Sequence, residues 1–240
     1  MLPYAAYSTT AMTSPDITIQ SFESLNQTQR FGLTHIQMDS LLVDMPERTE
    51  QEMYHFITNV HRPLKQVNEA ARHLKGPGRY AHQTHLIAAH HGMFIAHMSV
   101  ADRVVSHKRL GAGVADRWYQ RHTPTKGDIA RRVAVVGHVA VSTIGRDLLS
   151  RQQHGSTYLD HMFMQALEKR KPAQPVQCFP FVREGWLQQF LAGSGFEQDS
   201  AIRTSTTAFG PPDDVAMEPV QQWSAPSAEL VVRSLRQKAR

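Results

Sequence analysis

The stretch THLIAAHHGMFIAHMSVADRVVSHK, residues 84–108, decides how this chain is read. Leu86, Met93, Phe94, Ala101 and Val104 recur near the 3.6 spacing, which predicts a helix burying those residues on one face. His90 and His97 fall on that same face. Lys108 and Arg109, just before Gly111, suit the end of such a helix, where cations meet the negative end of its dipole.

The neighbouring segments extend the helical pattern. Leu33, Ile36, Leu41 and Met45 sit at roughly helical spacing. Thr49 and Glu52 form a capping box for a long helix with Met53, Phe56, Ile57, Val60 and Leu64 on one stripe, ended by Gly76-Pro77-Gly78. On the other side, Thr125 and Asp128 cap a helix with Ile129, Val133, Val136, Ala140 and Ile144 inward. Ser156 opens another helix that ends by Pro172. A short amphipathic helix over 181–192 carries Trp186, Leu187, Phe190 and Leu191. Residues 193–228 are rich in Gly, Ser, Thr, Pro and Asp and read as a loosely ordered linker. The expected organisation is a flexible N-terminus (1–15), a mainly α-helical domain (16–192), that linker, and a basic C-terminal segment (229–240).

One segment breaks the pattern. Asp16-Ile17-Thr18-Ile19-Gln20-Ser21-Phe22 alternates apolar and polar residues and predicts a short strand. It has no evident hairpin partner nearby, so its backbone must pair with something distant or with another chain.

Charge is distributed unevenly. Residues 61–150 hold 14 Lys and Arg against 5 Asp and Glu, and 10 of the 14 histidines, whereas residues 1–60 hold 2 basic against 7 acidic. Such a basic middle favours a polyanionic partner through phosphate neutralisation and counterion release. Arg103, Lys108, Arg109, Arg117, Arg121, Lys126, Arg131 and Arg132 form a continuous phosphate-binding surface if two helices pack side by side. Cys178 is the single cysteine, so no intrachain disulfide or Cys-based zinc site can form, and a reducing cytoplasm is expected. No run of 18 apolar residues suggests a membrane span.

Catalytic signatures are scarce. There is no GxSxG, P-loop or GxGxxG pattern, and Cys178 has no local sign of an activated thiol. His82, His85, His90 and His91 cluster, but no HExxH occurs and no carboxylate lies between Glu69 and Asp102. These histidines are expected to be structural. No catalytic residue, metal or cofactor is assigned, and an enzyme is not expected.

The order of elements resembles the AcaB-like transcriptional regulators of conjugative plasmids and integrative elements over roughly residues 16–150. The resemblance rests on Ile17–Phe22 leading to Gln29-Arg30, on Met98–Arg103 followed by Leu110-Gly111, and on Ile129-Ala130-Arg131-Arg132. It implies a ribbon-helix-helix-like homodimer in which strands of two subunits pair in the major groove of double-stranded DNA. Thr18 and Gln20 then face the bases, while Arg30, Arg131 and Arg132 contact the backbone. The expected function is therefore DNA-binding transcription regulation. Two alternatives stand beside it: a helical scaffold or accessory protein of conjugation or phage assembly, docking through Trp186, Leu187 and Phe190, and a histidine-rich metal-dependent enzyme.

Overall fold

The computed structural model describes residues 16–21, 27–53, 84–106, 130–137, 139–151, 155–204 and 219–239. In chain order the elements are β1 (Ile17–Ser21), α1 (Gln27–Asp44), β2 (Thr84–His90), β3 (Met93–Ser106), β4 (Ala130–Val136), β5 (Ala140–Val141) and α2 (Thr143–Arg151). There follow α3 (Tyr158–Leu167), β6 (Val176–Cys178), α4 (Gly185–Ala192), β7 (Glu197–Thr204), β8 (Pro219–Ala225) and α5 (Ala228–Lys238). The strands make one eight-stranded sheet in the order β1-β2-β3-β4-β6-β8-β7, with β5 added to β3. Among these pairs only β4 and β6 run parallel. A mainly helical, ribbon-helix-helix-like fold is thus corrected to a mixed α/β fold.

The correction has a physical cause. Both faces of the sheet are covered, so its central strands are apolar throughout instead of alternating. On one face, Leu86, Ala88, Met98, Val100, Ala134 and Val136 pack with Tyr158, Met162 and Phe163 of α3 and Val231 and Leu235 of α5. On the other, Ile87 meets Leu33 and Ile36 of α1, and Val133 and Val135 meet Leu41 and Met45. Apolar residues on both sides of a strand supply matches to a helical period by accident. Residues 84–106 are a hairpin, turned by His91 and Gly92 at φ of 48° and 79°. Positive φ at both turn residues matches the right-handed twist of the flanking strands.

The expected strand exists, but not as a lone one. β1 pairs antiparallel with β2 of its own chain, Ile17 opposite His90 and Ser21 opposite Leu86. The need for a second subunit to satisfy it disappears. The helix expected from Thr125 is instead β4, β5 and α2, and Thr125 and Asp128 lie outside the described residues. The stretch 193–228, expected as a linker, contains β7 and β8 of the sheet. The Thr49–Glu52 box is present, with Glu52 N–H donating to Thr49 Oγ1 (3.3 Å) and Thr49 N–H to Glu52 Oε2 (2.8 Å). Residues 50–53 are helical, and the rest of the expected stripe from Phe56 lies outside the described residues. At α3 the cap is Thr157 paired with Asp160, one residue after Ser156.

Candidate functional site

The sheet is interrupted near its middle. β3 pairs with β4 in a register that sets Val100 opposite Val136, then with β5 in a register that sets His97 opposite Ala140. One extra residue therefore sits on the β4–β5 side between Val136 and Ala140, a β-bulge. Gly137 permits it: an added Cβ would lie 2.3 Å from Ser99 Oγ, while Gly137 N–H donates to Ser99 O at 2.7 Å.

Beyond the bulge the parallel neighbours part. β6 is in register with β4 only to Cys178 opposite Val136. The chain after it turns to β8, with Gln221 N–H on Pro180 O and Val182 N–H on Pro219 O. β5 stays with β3, and Ser142 N–H donates to Ile95 O at 2.9 Å. By strand alternation the backbone of Val139 and Val141 points the other way, into the wedge between β5 and β6. At Val141 side chains take the place of a strand. Its N–H donates to Ser40 Oγ (3.2 Å), and its carbonyl accepts from Arg146 Nε (3.2 Å). Val139 has no backbone partner among the described residues.

Arg146 of α2 fixes the floor of the wedge. It donates to both carboxylate oxygens of Asp44 at 2.7 and 2.5 Å, touches Ser40 O and Oγ at 3.3 Å, and lies 4.9 Å above the Trp186 ring. Glu184, at the start of α4, is buried close by and accepts Phe181 N–H at 2.7 Å. Burial, with the Asp44 charge second, pushes its carboxyl up to about 8; the Phe181 N–H and Arg146 act against them. Burial also pushes the Cys178 thiol well above its usual range, with Glu184 adding to the effect, so Cys178 is not an activated nucleophile. Gln37 lies on the same stripe of α1 as Ser40 and Asp44. It meets His97 Nδ1 at 3.2 Å, and His97 Nε2 meets His85 Nδ1 at 3.3 Å, a buried chain of three side chains beneath α1.

The N-terminus of α2 faces α1 and is already capped. Thr143 N–H and Oγ1 donate to the two Asp39 carboxylate oxygens at 2.6 and 2.9 Å, and Gly145 N–H donates to Ser142 Oγ at 3.1 Å.

The described residues expected to bind DNA fall on β1, α1, β3 and β4. Thr18 is exposed on β1 opposite Ala89, and Gln20 is half-buried opposite Ile87. Arg30 is on α1, Arg103 on β3 opposite Val133, and Arg131 and Arg132 on β4 opposite Val105 and Val104. Lys108, Arg109, Arg117, Arg121 and Lys126 lie outside the described residues. The helix pair that was to present a phosphate-binding surface is a pair of strands. The docking helix of the scaffold alternative packs on its own core, Leu187 and Leu191 being buried and Phe190 lying 4.8 Å from Phe163. Sequence reasoning passed over Ser40, Asp44, Arg146 and Glu184. A signal was present for the first two, because Gln37, Ser40 and Asp44 lie at i, i+3 and i+7 on the face of α1 that also buries Leu33 and Leu41.

No protein-family model matches the sequence, and no curated protein matches it. Solved structures resemble the chain over most of its length. An acyl-CoA N-acyltransferase from Pseudomonas aeruginosa is 16% identical, covers 88% of this chain and 98% of its own, and has a TM-score of 0.42. FeeM, an N-acyl amino acid synthase from uncultured soil microbes, is 11% identical over 93% of this chain and 94% of its own, with a TM-score of 0.46. An N-acetyltransferase from Thermoplasma acidophilum, in complex with coenzyme A, is 12% identical over 86% and 97%, with a TM-score of 0.45.

A DNA-binding regulator of the AcaB-like kind, reading double-stranded DNA as a β-ribbon homodimer, is corrected on the fold: its frame was helical with an unpaired strand, while the chain forms a mixed sheet that pairs that strand internally. The expectation of a non-enzyme is corrected with it, and neither alternative finds support. Among the described residues no helix is long and apolar enough to cross a membrane.

Proposed function

We propose that the protein is an acyltransferase that moves an acyl group from a thioester to an amine. The observation that carries this reading is the one-residue register shift between β4 and β5, beyond which the chain parts from β6 mid-sheet, with no backbone partner for Val139 among the described residues. Such an edge pairs with an extended chain that brings its own amides. The arm of a phosphopantetheine thioester is a chain of that kind, with two amides and a terminal sulfur. Laid along β5, it would bring its thioester carbonyl to fixed backbone donors in a low-dielectric wedge. There, negative charge developing on the carbonyl oxygen is stabilised without reorganisation.

In the reaction the amine nitrogen forms a bond to the acyl carbon and the carbon–sulfur bond breaks. The nitrogen sheds a proton and the departing thiolate gains one. The buried, raised thiol of Cys178 favours direct transfer over an acyl-enzyme. Asp39 already occupies the first amide of α2, so the proposed contact is with the amide-bearing arm and not with a phosphate at that helix end.

The test is thiol release from short- and long-chain acyl-CoA and from acyl-pantetheine, in the presence of mixed amino acids and polyamines. Amine-dependent release is expected from both donor types. Absence of release, together with no calorimetric binding of coenzyme A or pantetheine, would overturn the reading.

A further inference from the structure

We propose that Asp16, His90 and His91 form a binding site for a divalent transition-metal ion, of the zinc type, at the outer edge of the sheet. The sequence separates Asp16 from the two consecutive histidines, but the pairing of β1 with β2 brings them together. Ile17 stands opposite His90, and His91 N–H donates to Asp16 O at 3.2 Å. Each residue offers one ligand atom, and the three atoms lie within 4.8 Å of one another. His91 Nε2 is 3.9 Å from Asp16 Oδ2, and the His90 and His91 rings are 4.1 Å apart, tilted by 54°.

The backbone accounts for two consecutive histidines converging. Neighbours on a strand point to opposite faces, but His91 has left the strand for the first turn position at φ 48°. That turn position is more often filled by Asn, Asp or Gly. A histidine there is held by a hairpin end and by the bond to Asp16, so its reach is defined by backbone and not by a free loop.

Two imidazoles and one carboxylate form a borderline donor set that suits Zn²⁺, Ni²⁺ or Cu²⁺ and is a poor match for Mg²⁺ or Ca²⁺. With bonds near 2.0–2.2 Å, tetrahedral ligand atoms sit about 3.4 Å apart, so small rotations of exposed side chains close the site around an ion. Water completes the coordination, because His91 and Asp16 are 61% and 48% exposed. An ion there would clip the start of β1 to the β2–β3 turn. Its role is to hold the sheet edge, independent of the acyl-transfer reading.

The experiment uses untagged, metal-stripped protein titrated calorimetrically with ZnCl₂, with thermal melting alongside. One ion per chain is expected, with a melting temperature that rises with zinc concentration by mass action. Asp16→Ala, His90→Ala and His91→Ala should each weaken zinc binding by at least about tenfold, the lower bound for losing even a supporting partner of a metal ligand. Each variant should melt as the wild type does without zinc, since the side chains are at the surface. The chain has other histidines, so the deciding comparison is with the triple variant. If wild type and triple variant bind zinc equally and gain equal melting temperature, or if neither binds, the site does not exist.

Discussion

Arg146 holds Asp44 with two guanidinium nitrogens, at 2.7 and 2.5 Å, across the contact between α2 and α1. The carboxylate is 6% exposed and the guanidinium 18%. Removing one member of such a pair leaves an uncompensated charge, so Asp44→Ala should cost about 2–4 kcal/mol, slightly under the figure for full burial. The double variant Asp44→Ala/Arg146→Met removes both charges, and its loss should be smaller than the sum of the losses of Asp44→Ala and Arg146→Met alone. Urea unfolding of the four proteins measures this. Strict additivity would show that the pair is not a coupled unit.

Stability should fall with rising pH through Glu184. Its folded value, about 8, lies above the ordinary 4.5 because burial and the Asp44 charge disfavour ionisation. A carboxyl raised on folding contributes its full stabilisation below pH 4.5 and loses it as pH climbs to 8 and beyond, a change of several kcal/mol in order of magnitude. Glu184→Gln keeps an acceptor for Phe181 N–H and cannot ionise. Its unfolding free energy between pH 5 and 9 should vary less than that of the wild type, and it should be the more stable protein at the alkaline end. Parallel pH profiles of the two proteins would refute the assignment.

The bulge should tolerate a side chain at residue 137 only when its neighbour yields. A Cβ there meets Ser99 Oγ at 2.3 Å, but the Ser99 carbonyl at 3.5 Å and Cβ at 3.7 Å are ordinary contacts. Gly137→Ala alone should therefore be destabilising by about 1–3 kcal/mol, the usual cost of overpacking. Adding Ser99→Ala removes the obstructing oxygen and should restore most of it. Gly145→Ala has no such remedy, since its nearest atom is the Ile95 carbonyl oxygen at 2.6 Å. Thermal melts of the three variants distinguish the cases.

Local signals in the sequence were legible where a residue's environment was one-sided. Leu33, Ile36 and Leu41 stand on the buried face of a real helix, Ile17 and Thr18 alternate as a half-covered strand should, and Thr49 with Glu52 is a real capping box. The central strands were not legible as strands, because cover on both faces erases alternation. In hindsight the valine-rich run RRVAVVGHVAV (residues 131–141) favours strand by its β-branched content, and His91-Gly92 between two apolar runs is a hairpin signal. The site was harder still. Ser40 and Arg146 stand 106 residues apart in sequence, and the fold brings them to the N–H and the carbonyl of one residue, Val141. Asp16 escaped notice as a companion of His90 for the same reason.

The open backbone edge gives a last prediction that separates binding from folding. Val139→Pro removes one N–H that points into the wedge while leaving the bonds that hold β5 to β3, such as Ser142 N–H to Ile95 O. Proline is otherwise excluded from central strands but is accepted at bulges, where no ladder bond is lost. Val139 is a core residue at 1% exposure, so the stability cost comes from altered packing, about 1–3 kcal/mol, and Val139→Ala serves as the control for it. If the thioester arm pairs with this edge, the variant should bind coenzyme A and pantetheine more weakly. It should also lose about 10²–10³ in amine-dependent thiol release, the usual effect of deleting one donor to a developing oxyanion. Val139→Ala keeps the N–H and should retain both. Equal activity in the proline and alanine variants, with both folded, would place the donor somewhere other than the wedge.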